Sequence, residues 1–266
     1  IKDISENYSL ICLPEQSGKT YVMLKEIIKQ LENTNSKKTV INFIFCANSL
    51  LLTKQTSKRV KEELSPYTLG DNDMEFSSRK DSTANNSAEV YRGIMTEGKR
   101  NIICCINGKR VSDISSIVHD LKSNFLTANA FEFKIWMDEA DQYICYIDKT
   151  FKPLVEKYTD DIEVYFITAT PDALFDRYKS INVLPLEFTT RAAYHGWEDN
   201  NRIILPNSGN TENFIYEVLS KFPSFEPDSK WFVPADRYVT SHEHVRDILL
   251  VKGFAVFVVN GNGIEI

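Results

Sequence analysis

The sequence has no uninterrupted run of about 18 apolar residues, the length that a membrane-spanning helix requires. Its first residues mix charged and polar side chains, so we expect no signal peptide there and no membrane partner. It also lacks an excess of positive charge, because 31 Lys and Arg against 37 Asp and Glu give a formal net charge of −6. A whole-chain basic signal for nucleic acid is therefore absent, although a local basic cleft would still bind one.

Cysteine is scarce, and its spacing gives no metal-binding pattern. The five cysteines form no CxxC pair and no ladder with histidine, so we expect no zinc site. Their number is odd and most of them lie in apolar stretches. This indicates buried thiols in a reducing compartment, the cytoplasm or the nucleus.

Short apolar segments alternate with amphipathic ones along the first two thirds of the chain. The strand candidates are Tyr8 to Leu13, Val40 to Cys46, Asn101 to Ile106, Glu132 to Asp138 and Ile162 to Thr168. Helical periodicity lies between them, for example over residues 50–64. This alternation predicts an α/β fold, a parallel sheet with helices on both faces. Ligands of such sheets bind at the carboxyl ends of the strands.

Two segments interrupt the alternation. Residues 65–87 are polar and are predicted to form a long loop. Residues 192–201 precede a second series of shorter elements, with strands over 202–205, 230–233 and 254–259. We therefore predict a first domain over residues 1–192, and a linker with the first part of a second α/β domain over residues 193–266.

The segment after the first predicted strand matches a phosphate-binding template. Gly18, Lys19 and Thr20 fill the last three positions of G-x-x-x-x-G-K-[ST], whereas Leu13 replaces the first glycine. A helix that begins here directs its backbone N–H groups and partial positive charge at phosphate oxygens. Lys19 can reach the β- and γ-phosphates, and the Thr20 hydroxyl can bind Mg²⁺. The alternative is a helix start that reads SGKT by chance.

The fourth predicted strand ends in the tetrapeptide DEAD, residues 138–141. Asp138 can hold Mg²⁺ through water, and Glu139 can deprotonate the water that attacks a γ-phosphate. Adjacent carboxylates repel each other unless a cation lies beside them. The alternative is a helix N-terminus that carries acidic residues, which the helix dipole also favours. The two motifs together are more specific than either, and we expect them to meet at neighbouring strand ends.

These motifs resemble those of superfamily 2 helicases, the DExD/H-box class, which are built on RecA-like α/β domains. Residues 17–20 match motif I, residues 138–141 match motif II, and Thr168-Ala169-Thr170 resembles motif III. The resemblance implies a binding site for ATP and Mg²⁺, with Mg²⁺ held by Thr20 and Asp138. The implied nucleotide-binding residues are Gln16, Ser17, Gly18, Lys19 and Thr20, and the implied catalytic residues are Lys19, Asp138, Glu139, Thr168 and Thr170.

The resemblance also implies a surface for the nucleic-acid backbone. Residues 46–50 with the helix after them resemble motif Ia, and residues 107–110 resemble a later strand-binding motif. The implied contacts are Asn48, Lys54, Arg59, Asn107 and Arg110. Contacts of this kind weaken with salt and read no sequence. By composition alone, the basic residues fit a solvated helix face equally well.

Some features of that class are missing from this sequence. Motifs V and VI are absent, so the arginine fingers of motif VI are not in this chain, and helicase function is expected of a longer parent protein. Arg202, Arg237 and Arg246 are candidates by residue type only. The usage of Asn, Lys and Ile is similar to that of enzymes from large DNA viruses, which adds a viral replication site to the expected locations.

The resemblance implies an ATP-dependent helicase or translocase. It would act on single- or double-stranded nucleic acid, with DNA favoured over RNA and with replication or transcription proteins as partners. One alternative is a degenerate phosphate-loop module that binds its ligand without turnover, which Leu13 and Gln16 favour. Another is a related motor that moves on duplex without unwinding it.

Overall fold

The computed structural model describes residues 2–3, 6–13, 18–32, 38–68, 70–179, 181–184, 239–256, 258–260 and 263–265. The chain forms two compact units, Ile1–Ala192 and Ala193–Ile266. Within the described residues, no helix combines the length and the apolar character needed to cross a membrane.

The first unit alternates strands and helices. Its strands are β1 (Lys2–Asp3), β2 (Tyr8–Cys12), β3 (Thr39–Cys46), β4 (Asp73–Phe76), β5 (Asn101–Cys105), β6 (Phe131–Asp138), β7 (Ile162–Thr168), β8 (Tyr178–Lys179) and β9 (Asn182–Val183). Its α-helices are α1 (Lys19–Glu32), α2 (Leu50–Leu64), α3 (Ser87–Thr96), α4 (Gly108–Ser123), α5 (Ile144–Tyr146), α6 (Lys152–Lys157) and α7 (Asp172–Arg177). Short 3₁₀ turns cover Ser65–Tyr67 and Ala140–Tyr143, and a π-helical turn covers Ile147–Phe151.

Seven of these strands form one sheet in the order β4-β5-β3-β6-β7-β2-β9. Every pair in this sheet is parallel. Alternate side chains along a strand point to opposite faces, so Phe43 belongs to one buried cluster and Ile44 to the other. Helices α1 and α2 cover one face, and α3, α4, α6 and α7 contribute to the core on the other. The predicted fold class, a parallel α/β sheet covered on both faces, is confirmed.

Asp161 ties the start of β7 to two other elements. Its carboxylate lies 2.5 Å from Lys38 Nζ and 2.6 Å from Lys122 Nζ. Burial by itself would raise the pKa of Asp161, but the hydrogen bonds from these lysines outweigh it and hold the pKa below its usual value. The group therefore stabilises the folded state as a carboxylate.

The segment predicted as a long loop, residues 65–87, contains regular elements among its described residues. It contains a 3₁₀ turn, β4 at the edge of the sheet and the start of α3, so that prediction was wrong. The polar residues after β4 bond to one another, since Ser82 Oγ donates to the carbonyl oxygens of Ser77 at 3.1 Å and Arg79 at 2.8 Å. A strand of four residues is too short to give a pattern of its own, and pairing with β5 defines it.

The expectation that the cysteines are buried thiols holds only in part. Cys12 and Cys145 are exposed, whereas the other three cysteines are buried. All five are free thiols, and the reducing location stays a prediction.

In the second unit the structure describes α8 (Val239–Val251), β10 (Val258–Asn260) and β11 (Gly263–Glu265). β10 and β11 pair in antiparallel orientation, and the strand predicted over residues 254–259 is observed only at its end. The strands predicted at residues 202–205 and 230–233 lie outside the described residues, as do Arg202 and Arg237. The assignment of this unit to a second RecA-like domain stays a prediction.

Candidate functional site

Strands β6, β7 and β2 are neighbours in the sheet, and their carboxyl ends lie side by side. In the register of the sheet Cys12 lies opposite Thr168, and Asp138 lies opposite Ile167. The backbone N–H of Leu13 continues the ladder by donating to the carbonyl oxygen of Thr168 at 3.1 Å. The phosphate loop and the acidic pair were expected at neighbouring strand ends, but β7 lies between β2 and β6. The residues of predicted motif III therefore occupy the position between the other two motifs.

The segment predicted to bind phosphate meets α1 at Gly18. This residue has a φ of +96°, a backbone conformation that residues with a Cβ atom rarely adopt. Its carbonyl oxygen accepts the first helical hydrogen bond, from the N–H of Val22 at 3.1 Å. Lys19 and Thr20 are half-buried in the first turn of α1. Gln16 and Ser17 lie outside the described residues.

Lys19 and Glu139 form an ion pair that joins the two motifs. Lys19 Nζ donates to Glu139 Oε1 at 2.7 Å, and the two side chains are only 11% and 30% exposed. The pair connects the start of α1 to the end of β6 across the carboxyl end of β7. The ammonium group and the acidic pair are thus brought to the same place, as the sequence predicted.

Glu139 has an unusual backbone. Its φ of 53° and ψ of 44° place it in the left-handed region, and it is the single non-glycine residue with positive φ in the part of the chain that the structure describes. Such a conformation costs on the order of 1 kcal/mol or more and is concentrated at functional sites. The turn directs the Glu139 carboxylate back toward Lys19.

Asp138 lies beside Glu139 at the end of β6, and its pKa is raised. Burial is the main cause, the charge of Glu139 adds to it, and Lys19 partly offsets both. A second positive charge would relieve this repulsion. The Thr20 hydroxyl and the Asp138 carboxylate are the hard oxygen donors that Mg²⁺ prefers, so these residues fit the implied metal ion.

Asp141 holds the predicted motif III. Thr168 Oγ1 donates to Asp141 Oδ1 at 2.5 Å, and Thr170 Oγ1 donates to Oδ2 at 3.0 Å. The Thr170 N–H also donates to Thr168 Oγ1 at 3.0 Å. Thr168 is fully buried, so it positions its neighbours through these bonds and offers no free hydroxyl to a ligand. The sequence assigned no separate role to Asp141, although its place in the tetrapeptide was the available signal.

The two asparagines predicted to contact nucleic acid follow β3 and β5 at the same edge of the sheet. Asn48 is exposed, and its backbone N–H donates to the hydroxyl of Tyr143 at 3.1 Å. Asn107 caps α4, because its Oδ1 accepts from the N–H of Arg110 at 3.0 Å, and its Nδ2 lies 3.2 Å from Cys105 Sγ. The side chain of Asn107 is therefore committed to local structure, and its half-buried position leaves part of it accessible.

The two residues of α2 that were predicted to contact nucleic acid, Lys54 and Arg59, are exposed but do not share a direction. Lys54 lies 3.7 Å from Asp81 of the segment after β4. Arg59 follows five residues later, which corresponds to a rotation of ~140° around the helix axis. A single strand lying across α2 would meet one of these side chains more readily than both.

Arg110 requires a correction, because it is buried rather than exposed at the start of α4. Its guanidinium carbon lies 3.8 Å from the ring centre of Phe76. The same group bonds to Asp113 Oδ2 at 3.1 Å and to the carbonyl oxygen of Asn85 at 3.3 Å. Only 5% of the residue is exposed, so we remove Arg110 from the candidate contacts and assign it to holding residues 76–85 against α4.

The family of res subunits of type III restriction enzymes matches residues 5–173, more than half of the 266 residues. The chain belongs to this family. Its matched region is the N-terminal domain of a superfamily 2 helicase, so the predicted resemblance is confirmed. The suggested viral origin receives no support from the match.

A search of curated proteins finds no match. Among solved structures, the chain is similar to a nuclease-deletion mutant of the type ISP restriction-modification enzyme LlaGI in complex with a DNA substrate mimic. The identity is 15% and the TM-score 0.40, with 62% of this chain and 16% of that chain covered. It is also similar to Mss116p DEAD-box helicase domain 2 bound to an RNA duplex, with 13% identity, a TM-score of 0.43, and 67% and 64% of the two chains covered.

This res-family chain spans less than two thirds of the length of either of these proteins. At these scores the likenesses carry no argument about activity or ligand. The family match and the site geometry are the observations that bear on function.

Proposed function

We propose that this res-family domain binds ATP with Mg²⁺ and hydrolyses it to drive movement on nucleic acid. The observation that carries the proposal is the 2.7 Å contact between Lys19 Nζ and Glu139 Oε1. It brings a helix N-terminus with a lysine, which suits a triphosphate, to the acidic pair that suits a metal ion and a water molecule.

Each residue has a distinct task in this proposal. The backbone N–H groups at the start of α1 and the ammonium of Lys19 bind phosphate oxygens. Thr20 and Asp138 would hold Mg²⁺, and the bound ion would supply positive charge against the phosphate oxygens. When Lys19 binds phosphate, it leaves its ion pair with Glu139. The free Glu139 carboxylate then accepts a proton from the attacking water. Asp141 keeps Thr168 and Thr170 in place beside this site.

The proposed path for nucleic acid crosses the ends of β3 and β5, which lie on the other side of β6 from β2. Asn48 and Asn107 follow these strands, and Lys54 adds positive charge nearby. Because such contacts are to the backbone, affinity should fall with salt and depend little on sequence. We propose DNA rather than RNA as the polymer.

The proposal is tested by phosphate release from ATP, measured on the full-length protein alone, with single-stranded DNA and with single-stranded RNA. The expected result is turnover that requires Mg²⁺ and is stimulated by nucleic acid, more by DNA than by RNA. A Lys19→Ala variant of the same protein serves as the inactive control. Nucleotide binding without any turnover would contradict the proposal and favour the degenerate binding module. Strand-displacement and triplex-displacement assays then separate unwinding from movement on duplex.

A further inference from the structure

We propose that two tyrosines, Tyr143 and Tyr146, couple the nucleotide site to the nucleic-acid surface. Both follow the acidic tetrapeptide, three residues apart, and their rings stack with centroids 6.4 Å apart and planes inclined by 17°. We call this pair the tyrosine bridge. The inference rests on the function proposed above and names positioning residues for it.

Tyr143 contacts the loop after β3. Its hydroxyl oxygen accepts a hydrogen bond from the backbone N–H of Asn48 at 3.1 Å, across 95 residues of sequence. This N–H lies between the end of β3 and the N-cap of α2 at Ser49. The hydroxyl of Tyr143 therefore fixes the position of the segment proposed to contact the nucleic-acid backbone.

Tyr146 contacts the loop after β5. A Cβ atom built on Gly108 would lie 3.8 Å from both Cε1 and the hydroxyl oxygen of Tyr146, so the ring lies directly against this glycine. Gly108 begins α4, immediately after Asn107. The two tyrosines thus each contact one of the two loops that the proposed nucleic-acid path crosses.

The other end of the same segment belongs to the nucleotide site. The 3₁₀ turn Ala140–Tyr143 starts after Glu139, whose carboxylate pairs with Lys19. It also contains Asp141, which binds the two threonines after β7. A change at Glu139 on nucleotide binding would be transmitted along this short turn to Tyr143. Since Tyr143 is only the fourth residue after Glu139, a rotation of the turn displaces the hydroxyl that holds Asn48.

The test is a Tyr143→Phe variant of the full-length protein, which removes one oxygen atom and leaves the ring stack intact. The affinity for a fluorescent single-stranded oligonucleotide is measured by anisotropy, with and without a non-hydrolysable ATP analogue. The ratio of the two affinities reports coupling, because a purely structural defect would change both by the same factor. We expect the ratio in Tyr143→Phe to be about five-fold closer to one than in the wild-type protein. This is the factor in affinity that corresponds to the net strength of an ordinary hydrogen bond. Tyr165→Phe, which removes a hydroxyl bonded to Glu163, is the matched control and should keep the wild-type ratio.

An unchanged ratio in Tyr143→Phe, beside a wild-type ratio clearly different from one, would overturn the inference and leave the proposed function standing. A wild-type ratio of one in a protein that hydrolyses ATP would overturn it too, since no coupling would exist for the bridge to transmit. Absence of ATP hydrolysis in the wild-type protein would instead refute the proposed function.

Discussion

Replacement of Glu139 by Gln should strengthen nucleotide binding while it removes turnover. In the structure the ammonium of Lys19 is already engaged by Glu139 at 2.7 Å, so an incoming triphosphate must compete with this carboxylate. Gln keeps the size and shape of the side chain but removes the negative charge. A triphosphate can then bind the Lys19 ammonium without first breaking an ion pair.

The magnitude follows from the environment of the pair. With 11% and 30% exposure, the two side chains lie between surface pairs, which contribute about 0–1 kcal/mol, and buried pairs, whose disruption costs about 3–5 kcal/mol. We therefore assign about 1 kcal/mol to the ion pair that Gln removes. Without it, the nucleotide should bind roughly five-fold more tightly. Loss of the general base should lower turnover by about 10²–10⁴-fold.

The assay is titration calorimetry with a non-hydrolysable ATP analogue, run first without Mg²⁺ and then with Mg²⁺. Glu163→Gln is the control, because it removes the same single negative charge from a Glu that pairs with a lysine. That lysine, Lys134, lies far along the chain from the phosphate loop. If Glu139→Gln binds the analogue without Mg²⁺ no more tightly than the wild-type protein, the Glu139 carboxylate does not compete with phosphate for Lys19. Wild-type turnover in that variant would remove Glu139 from the role of base.

Three further predictions concern binding and stability. Lys19→Ala should lower ATP affinity at least about ten-fold by calorimetry, whereas Lys29→Ala at the exposed end of the same helix should not; equal affinities would contradict the phosphate-loop assignment. Arg110→Ala should lower the free energy of unfolding in urea by about 2–3 kcal/mol, and Lys109→Ala by less than about 0.5 kcal/mol; similar losses would show that the burial of Arg110 contributes little. Because the folded pKa of Asp161 is depressed, its contribution is full above about pH 4 and is lost as the pH falls through the folded value. Asp161→Asn should therefore be less stable at pH 7 and lose less stability in acid than the wild-type protein, and parallel pH curves would be evidence against this.

The elements that the sequence predicted best are those with a long and regular pattern. Helix α2 and strand β7 have the predicted bounds, because fifteen residues of helical periodicity and a seven-residue apolar strand carry enough signal by themselves. Strand β4 was missed because four residues at the edge of a sheet carry little pattern. The burial of Arg110 was missed for a different reason, since its stacking partner Phe76 and its carbonyl acceptor lie 34 and 25 residues earlier in the chain.

The kind of fold and the reactive side chains available at each strand end follow from the sequence alone. The alternation of strands and helices is a local property, and the Gly18–Thr20 and Asp138–Asp141 motifs are contiguous, so neighbours along the chain suffice to recognise them. The folded chain was needed to reveal that β7 lies between these motifs, that Lys19 pairs with Glu139, and that Tyr143 holds Asn48. These features depend on residues about 95 to 120 positions apart, which are brought together by the order of strands in the sheet and by no local pattern.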